Sequence, residues 1–272
     1  MMRSRMGRIA RILVAGASAA MGVVLLLSSP AALAQPDTSL LTPSAVPPAT
    51  ITVSAAASLT DVFPVIATAF QKKYPQVTVK FNFGGSSTLV TQIKAGAPVD
   101  VLATASEPTM WGAYNAGLVS VPLLIAKNSM AIAMPAGNPA HITSLADLAR
   151  PGVLVGVCDT AVPCGAAARD LLKLNNVSVT PVTRELDVRS LLGKVVSGDL
   201  DAGIVYVTDV KAVGSKVTSV AIPANLNVTT TYPIAEVLSS PNSVAAWAFV
   251  RYVRFSPSAQ GLMRAYGFAK PW

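Results

Sequence analysis

The sequence predicts an α/β fold in which β-sheets are flanked by helices on both faces. Two observations support this class. From residue 51 onward, short runs rich in β-branched residues alternate with longer segments whose apolar residues recur every three or four positions. Glycine, proline or serine stands between most of these segments, as expected where one element ends and the next begins. Alternation of strands and helices along the chain is typical of sheets covered by helices.

The strands are predicted from short apolar runs and from strict alternation, as in VTVKFNF and AGIVYV. They cover residues 51–56, 77–83, 99–105, 129–134, 153–157, 202–207, 217–222 and 231–237. The helices are predicted from apolar stripes, several of which end at glycine. They cover residues 61–73, 88–95, 108–116, 165–174, 188–197, 242–255 and 257–266. Pro64 fits the first helix only if the helix begins late enough for Pro64 to lie in its first turn.

The first 34 residues have the composition of a secretory signal. Four arginines precede an apolar run over residues 12–27, and the small residues Ala32 and Ala34 mark a cleavage site before Gln35. An uncleaved membrane anchor is the alternative, because residues 12–29 carry no charge. Residues 35–50 are rich in proline, serine and threonine and are predicted to be a flexible tether. We therefore expect an exported protein, in the periplasm or on the extracytoplasmic face of the cell envelope.

The composition excludes several classes of function. Of 272 residues, 52% are hydrophobic and 12% are charged, so the chain is not intrinsically disordered. The formal charge is +8, but without the four leading arginines 17 positive side chains face 13 negative ones. We expect no nucleic-acid binding, because no basic cluster is interleaved with aromatic residues. One histidine and two cysteines cannot form the usual four-ligand zinc site, so no free metal cation is expected.

The two cysteines lie six positions apart in the segment CDTAVPCG. Because export leads to an oxidising compartment, we expect a disulfide between Cys158 and Cys164. Two packed thiols are the alternative. A bond across so short a loop would constrain the unfolded chain only modestly, and it would mainly hold the shape of the loop.

Four predicted helices begin in a way that suits an anion. Ser58 follows the first strand, Ser86 follows two glycines after the second strand, and further helices open at Gly165 and at Val188 after Asp187. The first N–H groups of a helix have no partner within the helix and carry a partial positive charge. Each serine or aspartate taken alone is commonly just a helix cap. Neither of the first two junctions contains Lys or Arg, so a site there would hold an anion with uncharged donors.

The segments at these junctions resemble one family, the periplasmic molybdate-binding proteins that serve as receptors of molybdate ABC importers. The similar segments span about residues 51–270 and include TVSAAASLTDVF, GGSSTLVTQIKAGAPVDVLATAS, VPCG, DVR, GDLDAGIVYVTD, YPIAEV and YGF. The resemblance implies a two-lobed periplasmic-binding-protein fold of type II, with the ligand in the cleft between the lobes. It also implies a partner permease and ATPase in the membrane, no cofactor and no enzymatic activity. We expect a monomer.

The resemblance also implies which residues surround the oxyanion. Matched motif by motif, they are Ser58, Ser86, Cys164, Val188 and Tyr206. Hydroxyl donation is implied for the two serines and the tyrosine, and backbone N–H donation for Ser58, Ser86, Cys164 and Val188. Cys164 stands where the family usually has a small residue such as alanine. Residues 51–128 with 209–272 would form lobe one, and residues 129–208 lobe two.

Molybdate is a dianion without hydrogens, and a pocket made only of donors is its complement. Phosphate keeps a proton and needs an acceptor; Asp61 is one conceivable acceptor, although an acid that stabilises the start of its helix is the preferred interpretation. Tungstate should bind as molybdate does, and sulfate differs from both mainly in size. A receptor for another tetrahedral oxyanion such as sulfate is the main alternative.

Two further functions remain open from the residues. A secreted serine hydrolase would need His141 as its base, since it is the single histidine, and the sequence contains no GxSxG motif. A receptor for a small organic acid would call for an arginine clamp, for which Arg184 and Arg189 are candidates.

Overall fold

One strand, β4, connects two groups of strands in the computed structural model, which describes residues 45–272. These residues form nine strands: β1 Ala49–Ala56, β2 Val77–Gly84, β3 Val101–Ala103, β4 Leu123–Pro135, β5 Val155–Cys158, β6 Thr183–Glu185, β7 Ala202–Tyr206, β8 Val217–Ala221 and β9 Thr229–Glu236. Their order is β2-β1-β3-β9-β4-β7-β5-β6, and β8 also pairs with β4. Strands β2, β1 and β3 are mutually parallel, as are β7, β5 and β6, whereas the pairs that involve β4 or β9 are antiparallel.

The 13-residue strand β4 changes partners in its middle. Residues Leu123 to Ser129 pair with β9, and residues Met130 to Pro135 pair with β7 and β8. We call β1, β2, β3 and β9 with their helices the first half, and β5, β6, β7 and β8 with theirs the second half.

The described residues contain eight α-helices, and they divide between the two halves. Helices α1 Val62–Lys73, α2 Ser86–Lys94, α3 Glu107–Asn115, α7 Ser243–Phe255 and α8 Pro257–Ala265 belong to the first half. Helices α4 Pro163–Leu174, α5 Val188–Ser197 and α6 Val207–Val213 belong to the second half. Within residues 45–272, no helix has both the length and the apolar composition needed to cross a membrane.

Local sequence explains where several helices begin and end. The side chain of Asp187 accepts hydrogen bonds from the N–H groups of Arg189 and Ser190 and so caps α5. Gly198 ends α5 in a left-handed conformation, with φ of +81°. Pro64 is the third residue of α1, where its missing N–H costs nothing because the first turn has no partner for it. The condition set by the sequence for Pro64 is therefore met.

The fold class and most predicted elements are confirmed, with three differences. Strand β4 begins six residues earlier than predicted. Leu123 and its neighbours pair with β9, although the polar residues Lys127 and Asn128 break the apolar run there. The short strand β6 and the helix α6 were not predicted, because three residues and seven residues are too few to show a period.

The fold includes residues that the sequence assigned to the tether. Val46 is buried and β1 begins at Ala49, so the last residues of the predicted tether belong to the fold. The predicted signal and the rest of the tether lie outside the described residues.

The change of partners in β4 falls where lobe one was expected to end. Strand β8, however, pairs in the second half, although residues 209–272 were assigned to lobe one. The division into lobes stays a prediction, and the pairing of β8 favours a later return of the chain.

An aromatic cluster holds α1 and α7 against the first half of the sheet. The ring of Phe249 meets the ring of Phe70 edge-on at 5.2 Å and the ring of Phe63 at 6.3 Å, and all three side chains are fully buried. Edge-to-face contacts of this kind add to the free energy gained from burial alone.

Replacing Phe249 by alanine should lower the free energy of unfolding by about 3–5 kcal/mol, because the substitution leaves a cavity between α1 and α7. Urea denaturation followed by circular dichroism measures this change. Trp111→Ala is the control, because 43% of Trp111 is exposed, and it should cost less than about 1 kcal/mol. An equal loss in both variants would contradict the assignment of Phe249 to the main core.

Candidate functional site

A small cavity lies where the carboxyl ends of several strands from both halves meet the beginnings of helices. Its volume is about 20 Å³, so the cavity is small and has room for little more than one water molecule before any adjustment of its walls. All five residues singled out by the sequence line it: Ser58, Ser86, Cys164, Val188 and Tyr206. The structure therefore brings together positions that are up to 148 residues apart in the chain.

The first half contributes two buried serines. Ser58 lies in a single 3₁₀ turn, Ala57–Leu59, directly after β1, and its Oγ is 2.9 Å from Oη of Tyr232. Ser86 is the first residue of α2, and its Oγ accepts a hydrogen bond from the N–H of Ala105 at 3.1 Å. In this hydrogen bond Oγ acts as an acceptor and uses one of its lone pairs. The hydroxyl hydrogen of Ser86 therefore remains available to a ligand.

The second half contributes two helix beginnings. Helix α4 opens with Pro163, which has no N–H, so the first donor of this helix is the N–H of Cys164. At α5 the side chain of Asp187 accepts hydrogen bonds from the N–H groups of Arg189 and Ser190. The N–H of Val188, the first residue of the helix, is not bonded by this cap. Both N–H groups belong to residues that line the cavity, and neither has a partner within its own helix.

Gly85 allows the two halves to approach at the edge of the cavity. A Cβ atom placed on Gly85 would lie 2.2 Å from the carbonyl oxygen of Leu186, in the other half. Only glycine fits at this contact, because no such distance occurs between a real Cβ and an oxygen. Gly85 thus serves close approach of backbone to backbone, in addition to any approach of a ligand.

Tyr206, the last residue of β7, presents a buried hydroxyl without a hydrogen bond of normal geometry among the described residues. The side chains of Thr230 and Tyr232 are its polar neighbours. Burial raises the pKa of Tyr206 far above its ordinary value, and the nearby Tyr232 and Asp209 raise it further. The hydroxyl is therefore a neutral donor. A buried polar group without a partner is uncommon, and its place at a cavity suggests a partner that arrives from solution.

Two residues that support the site were not identified from the sequence. Tyr232 contacts Ser58, and the side-chain amide of Asn128 donates to Oη of Tyr232 at 3.3 Å and to Oγ1 of Thr208 at 2.8 Å. Tyr232 lies in the segment YPIAEV, which the family resemblance included, but nothing in that segment indicated a contact with Ser58. Asn128 lies in the unpredicted first part of β4.

Positively charged side chains are placed away from the cavity. None of the described residues that line it is Lys or Arg. Asp61 stands at the N-cap of α1, in keeping with the preferred interpretation, and pairs with Arg189 instead of facing the cavity. Arg189 is therefore not a clamp for a carboxylate ligand there. Arg184 and His141 are exposed and do not line the cavity, so they supply neither a carboxylate clamp nor a catalytic base there. Asp187 does line it, but three hydrogen bonds from Arg189 and Ser190 already occupy its carboxylate.

The expected disulfide is present between Cys158 at the end of β5 and Cys164 in the first turn of α4. Both sulfur-bearing residues are buried. The bond ties the wall of the cavity to the strand behind it and holds the loop between them. Gly165 is equally constrained, because a Cβ atom there would lie 1.9 Å from the carbonyl oxygen of Asp159.

Comparison with known proteins gives a consistent result. Residues 51–269 match the sequence model of a family described as bacterial extracellular solute-binding protein. Molybdate-binding protein ModA of Mycobacterium tuberculosis is 41% identical over 222 residues, which are 81% of this chain and 85% of the relative. A sulfate-binding protein of Synechococcus elongatus is 25% identical over 244 residues, with coverage of 78% and 69%. The solved periplasmic molybdate-binding protein of Azotobacter vinelandii superimposes with a TM-score of 0.73 at 19% identity, over 82% of this chain and 100% of that one.

The fold and the donor-lined cavity between two halves are those of a solute-binding protein. The chain belongs to the family of bacterial extracellular solute-binding proteins. The predicted fold class and the resemblance to molybdate-binding proteins are both confirmed.

The two buried tyrosines at the site should respond oppositely to loss of their hydroxyls. Tyr206→Phe removes an unpaired group and should raise the free energy of unfolding of the ligand-free protein by about 1 kcal/mol. Tyr232→Phe removes a group that is bonded to Ser58 and Asn128 and should lower it by about 1–3 kcal/mol. Denaturant titration of both variants tests this pair. A loss of stability in Tyr206→Phe as large as in Tyr232→Phe would show that Tyr206 has a partner within the protein.

Proposed function

We propose that this protein captures molybdate outside the cytoplasm and delivers it to an ABC importer in the membrane. The observation that carries the proposal is the convergence, in one cavity of about 20 Å³, of two buried serines, two free helix beginnings and the unpaired hydroxyl of Tyr206. The 41% identity to a protein named for molybdate binding supports the choice of ligand.

The chemistry of the lining suits a fully deprotonated dianion. Burying two negative charges is costly unless each oxygen of the ion finds a donor. Ser58, Ser86, Cys164, Val188 and Tyr206 offer up to seven donors, made of four N–H groups and three hydroxyls. Each hydrogen bond to a charged group contributes about 1.5–3 kcal/mol, so the set can offset the loss of hydration. The partial positive charge of two helix beginnings adds to this attraction without a lysine or arginine.

The same lining disfavours phosphate. Phosphate at neutral pH retains a proton that needs an acceptor, and the Asp187 carboxylate at the cavity already accepts hydrogen bonds from Arg189 and Ser190. Three hydrogen bonds take most of the roughly four acceptor sites of this carboxylate, and its negative charge repels an anion that comes close, so it is a poor partner for the proton of phosphate. Tungstate has the charge and nearly the size of molybdate, so we include it among the ligands.

The remaining parts of the proposal follow from this role. The partners are a membrane permease and an ATPase, the protein acts as a monomer on the extracytoplasmic side, and it needs no cofactor. No catalysis is proposed. Ser58 and Ser86 are buried and hydrogen-bonded, and His141 lies at the surface away from them.

Sulfate is the second candidate, because it is also a dianion without hydrogens and a relative at 25% identity is named for it. The donors described above would serve both ions. Only the size of the closed cavity separates them, since the oxygens of the smaller sulfate cannot all reach donors set for a larger ion.

Calorimetric titration of the mature protein with molybdate, tungstate, sulfate and phosphate tests the proposal. We expect tight binding of the first two ions and weak or absent binding of the others. Equal affinity for sulfate would replace molybdate with the second candidate, and binding of none of the four would refute an oxyanion receptor.

Individual donors should each matter for affinity. Ser86→Ala and Tyr206→Phe should weaken molybdate binding by roughly 1–3 kcal/mol each, since an oxygen of the ion then loses its partner. Ser215→Ala and Tyr114→Phe are matched controls at exposed positions and should leave the affinity unchanged. Unaltered affinity in both site variants would show that the ligand does not contact these hydroxyls.

A further inference from the structure

We propose that Arg189 is a positioning residue that latches the two halves together over the bound ion and so sets how slowly the ion is released. The inference rests on the proposed function for the identity of the ion. It assigns to Arg189, together with Asp61 and Asp209, a role that concerns closure and not recognition.

The guanidinium group of Arg189 joins the two halves. Its Nε lies 3.2 Å from Oδ1 of Asp209, within the second half, and its Nη2 pairs with Oδ2 of Asp61, in the first half. The ion pairs of Arg150 with Asp147, of Arg169 with Asp170 and of Lys194 with Glu185 do not join the halves. The pair of Arg189 with Asp61 is thus a charged contact between segments on opposite sides of the cavity.

The two partners of Arg189 differ in burial. The side chain of Asp209 is 0% exposed, whereas that of Asp61 is 39% exposed and that of Arg189 is 23% exposed. Asp209 thus holds the guanidinium in place from below, and Asp61 reaches it from the rim. Because Asp209 already restrains the guanidinium group of Arg189, forming the pair with Asp61 costs less side-chain entropy than an ordinary surface ion pair does. When the halves separate, the contact with Asp61 breaks while the contact with Asp209 can remain.

Arg189 does not line the cavity, but it is connected to residues that do. It follows Val188 directly in α5, and the Oδ2 atom of its partner Asp209 accepts the N–H of Tyr206 at 3.0 Å. Asp61 stands at the N-cap of α1, three residues after Ser58. Closing the ion pair therefore aligns segments from both halves that carry the donors.

Uncharged contacts between the halves surround the same cavity. The hydroxyl of Ser87 donates to the carbonyl oxygen of Ala161 at 2.5 Å, and Gly85 lies against Leu186. These contacts are local and short-ranged, so they form only when closure is almost complete. The charges of Arg189 and Asp61 attract over a longer distance than these contacts do. Separating the two halves requires the free energy needed to break this ion pair.

The latch predicts a specific kinetic effect. Removing either charge should speed opening and hence release, while the donors that recognise the ion stay intact. The release rate should rise about three- to thirtyfold, which corresponds to a partly exposed ion pair with a hydrogen bond between charged groups. The ratio of molybdate to sulfate affinity should stay within about twofold of that of the unaltered protein, since the size of the closed cavity is unchanged.

The experiment compares Arg189→Met, Asp61→Asn and the double variant with Arg169→Met in the mature protein. Arg169 pairs with Asp170 on the exposed face of α4, so its replacement removes the same charge away from the cavity. Release is measured as the loss of radiolabelled molybdate after dilution into an excess of unlabelled molybdate. We expect faster release from the first three variants, no greater effect in the double variant than in Arg189→Met, and no change in Arg169→Met.

A second measurement judges closure without a ligand. Spin labels at Lys94→Cys in α2 and Lys173→Cys in α4 report the distance between the halves, and both native cysteines are tied up in the disulfide. Compared with the labelled protein that keeps Arg189, the Arg189→Met variant should show a distribution of label-to-label distances shifted toward longer values, either in the free or in the molybdate-loaded state. Three outcomes would each overturn the latch. The first is that Arg189→Met has the same distance distributions as the unaltered protein in both states. The others are that its release rate equals that of the unaltered protein, or that Arg169→Met speeds release as much as Arg189→Met does. Failure of the unaltered protein to bind any of the four oxyanions refutes the proposed function instead, and the spin-label distances then decide the latch by themselves.

Discussion

Unpaired N–H groups at the beginnings of helices are the feature on which this structure depends. A helix cannot satisfy its own first donors, so each helix that follows a strand in an α/β fold presents a small positive end at the edge of the sheet. Here α2, α4 and α5 begin around one cavity of about 20 Å³ that two halves enclose. Uncharged donors in a small enclosed space hold an ion by directed hydrogen bonds, and the geometry of those bonds can distinguish ions of equal charge.

Strand β4 joins the two halves that share the cavity. It continues from one group of strands into the other, pairing with β9 up to Ser129 and with β7 from Met130. A continuous strand keeps the halves in register, while the change of partners concentrates bending at one point. The network of Asn128, Tyr232 and Thr208 lies beside this point and reaches Ser58. The point where β4 changes partners is thus linked through hydrogen bonds to a hydroxyl in the cavity.

The site carries costs that a purely structural region would avoid. Among residues 45–272 the buried hydroxyl of Tyr206 has no hydrogen bond of normal geometry, and Asp209 is wholly buried beside it. Burial raises the pKa of Asp209 to about 7, while the neighbouring Arg189 and the N–H of Tyr206 act to lower it. Since unsatisfied groups of this kind lower stability, their presence together at one cavity is consistent with a role in binding and closure.

The sequence by itself determined the α/β class and the positions of most strands and helices, led to the expectation of the disulfide, and through the family resemblance picked out five of the residues that line the cavity. Local patterns sufficed for these, because caps, apolar periods and family motifs are written within short segments. Only the tertiary structure decided that β4 joins the halves, that Tyr232 and Asn128 support Ser58, and that Arg189 pairs with Asp61 and Asp209. The contacts of Ser58 with Tyr232, of Asn128 with Tyr232 and of Arg189 with Asp61 join residues 104 to 174 positions apart. No local period or cap records which distant side chain will face a charge, and even Asp209 lies 20 positions from Arg189.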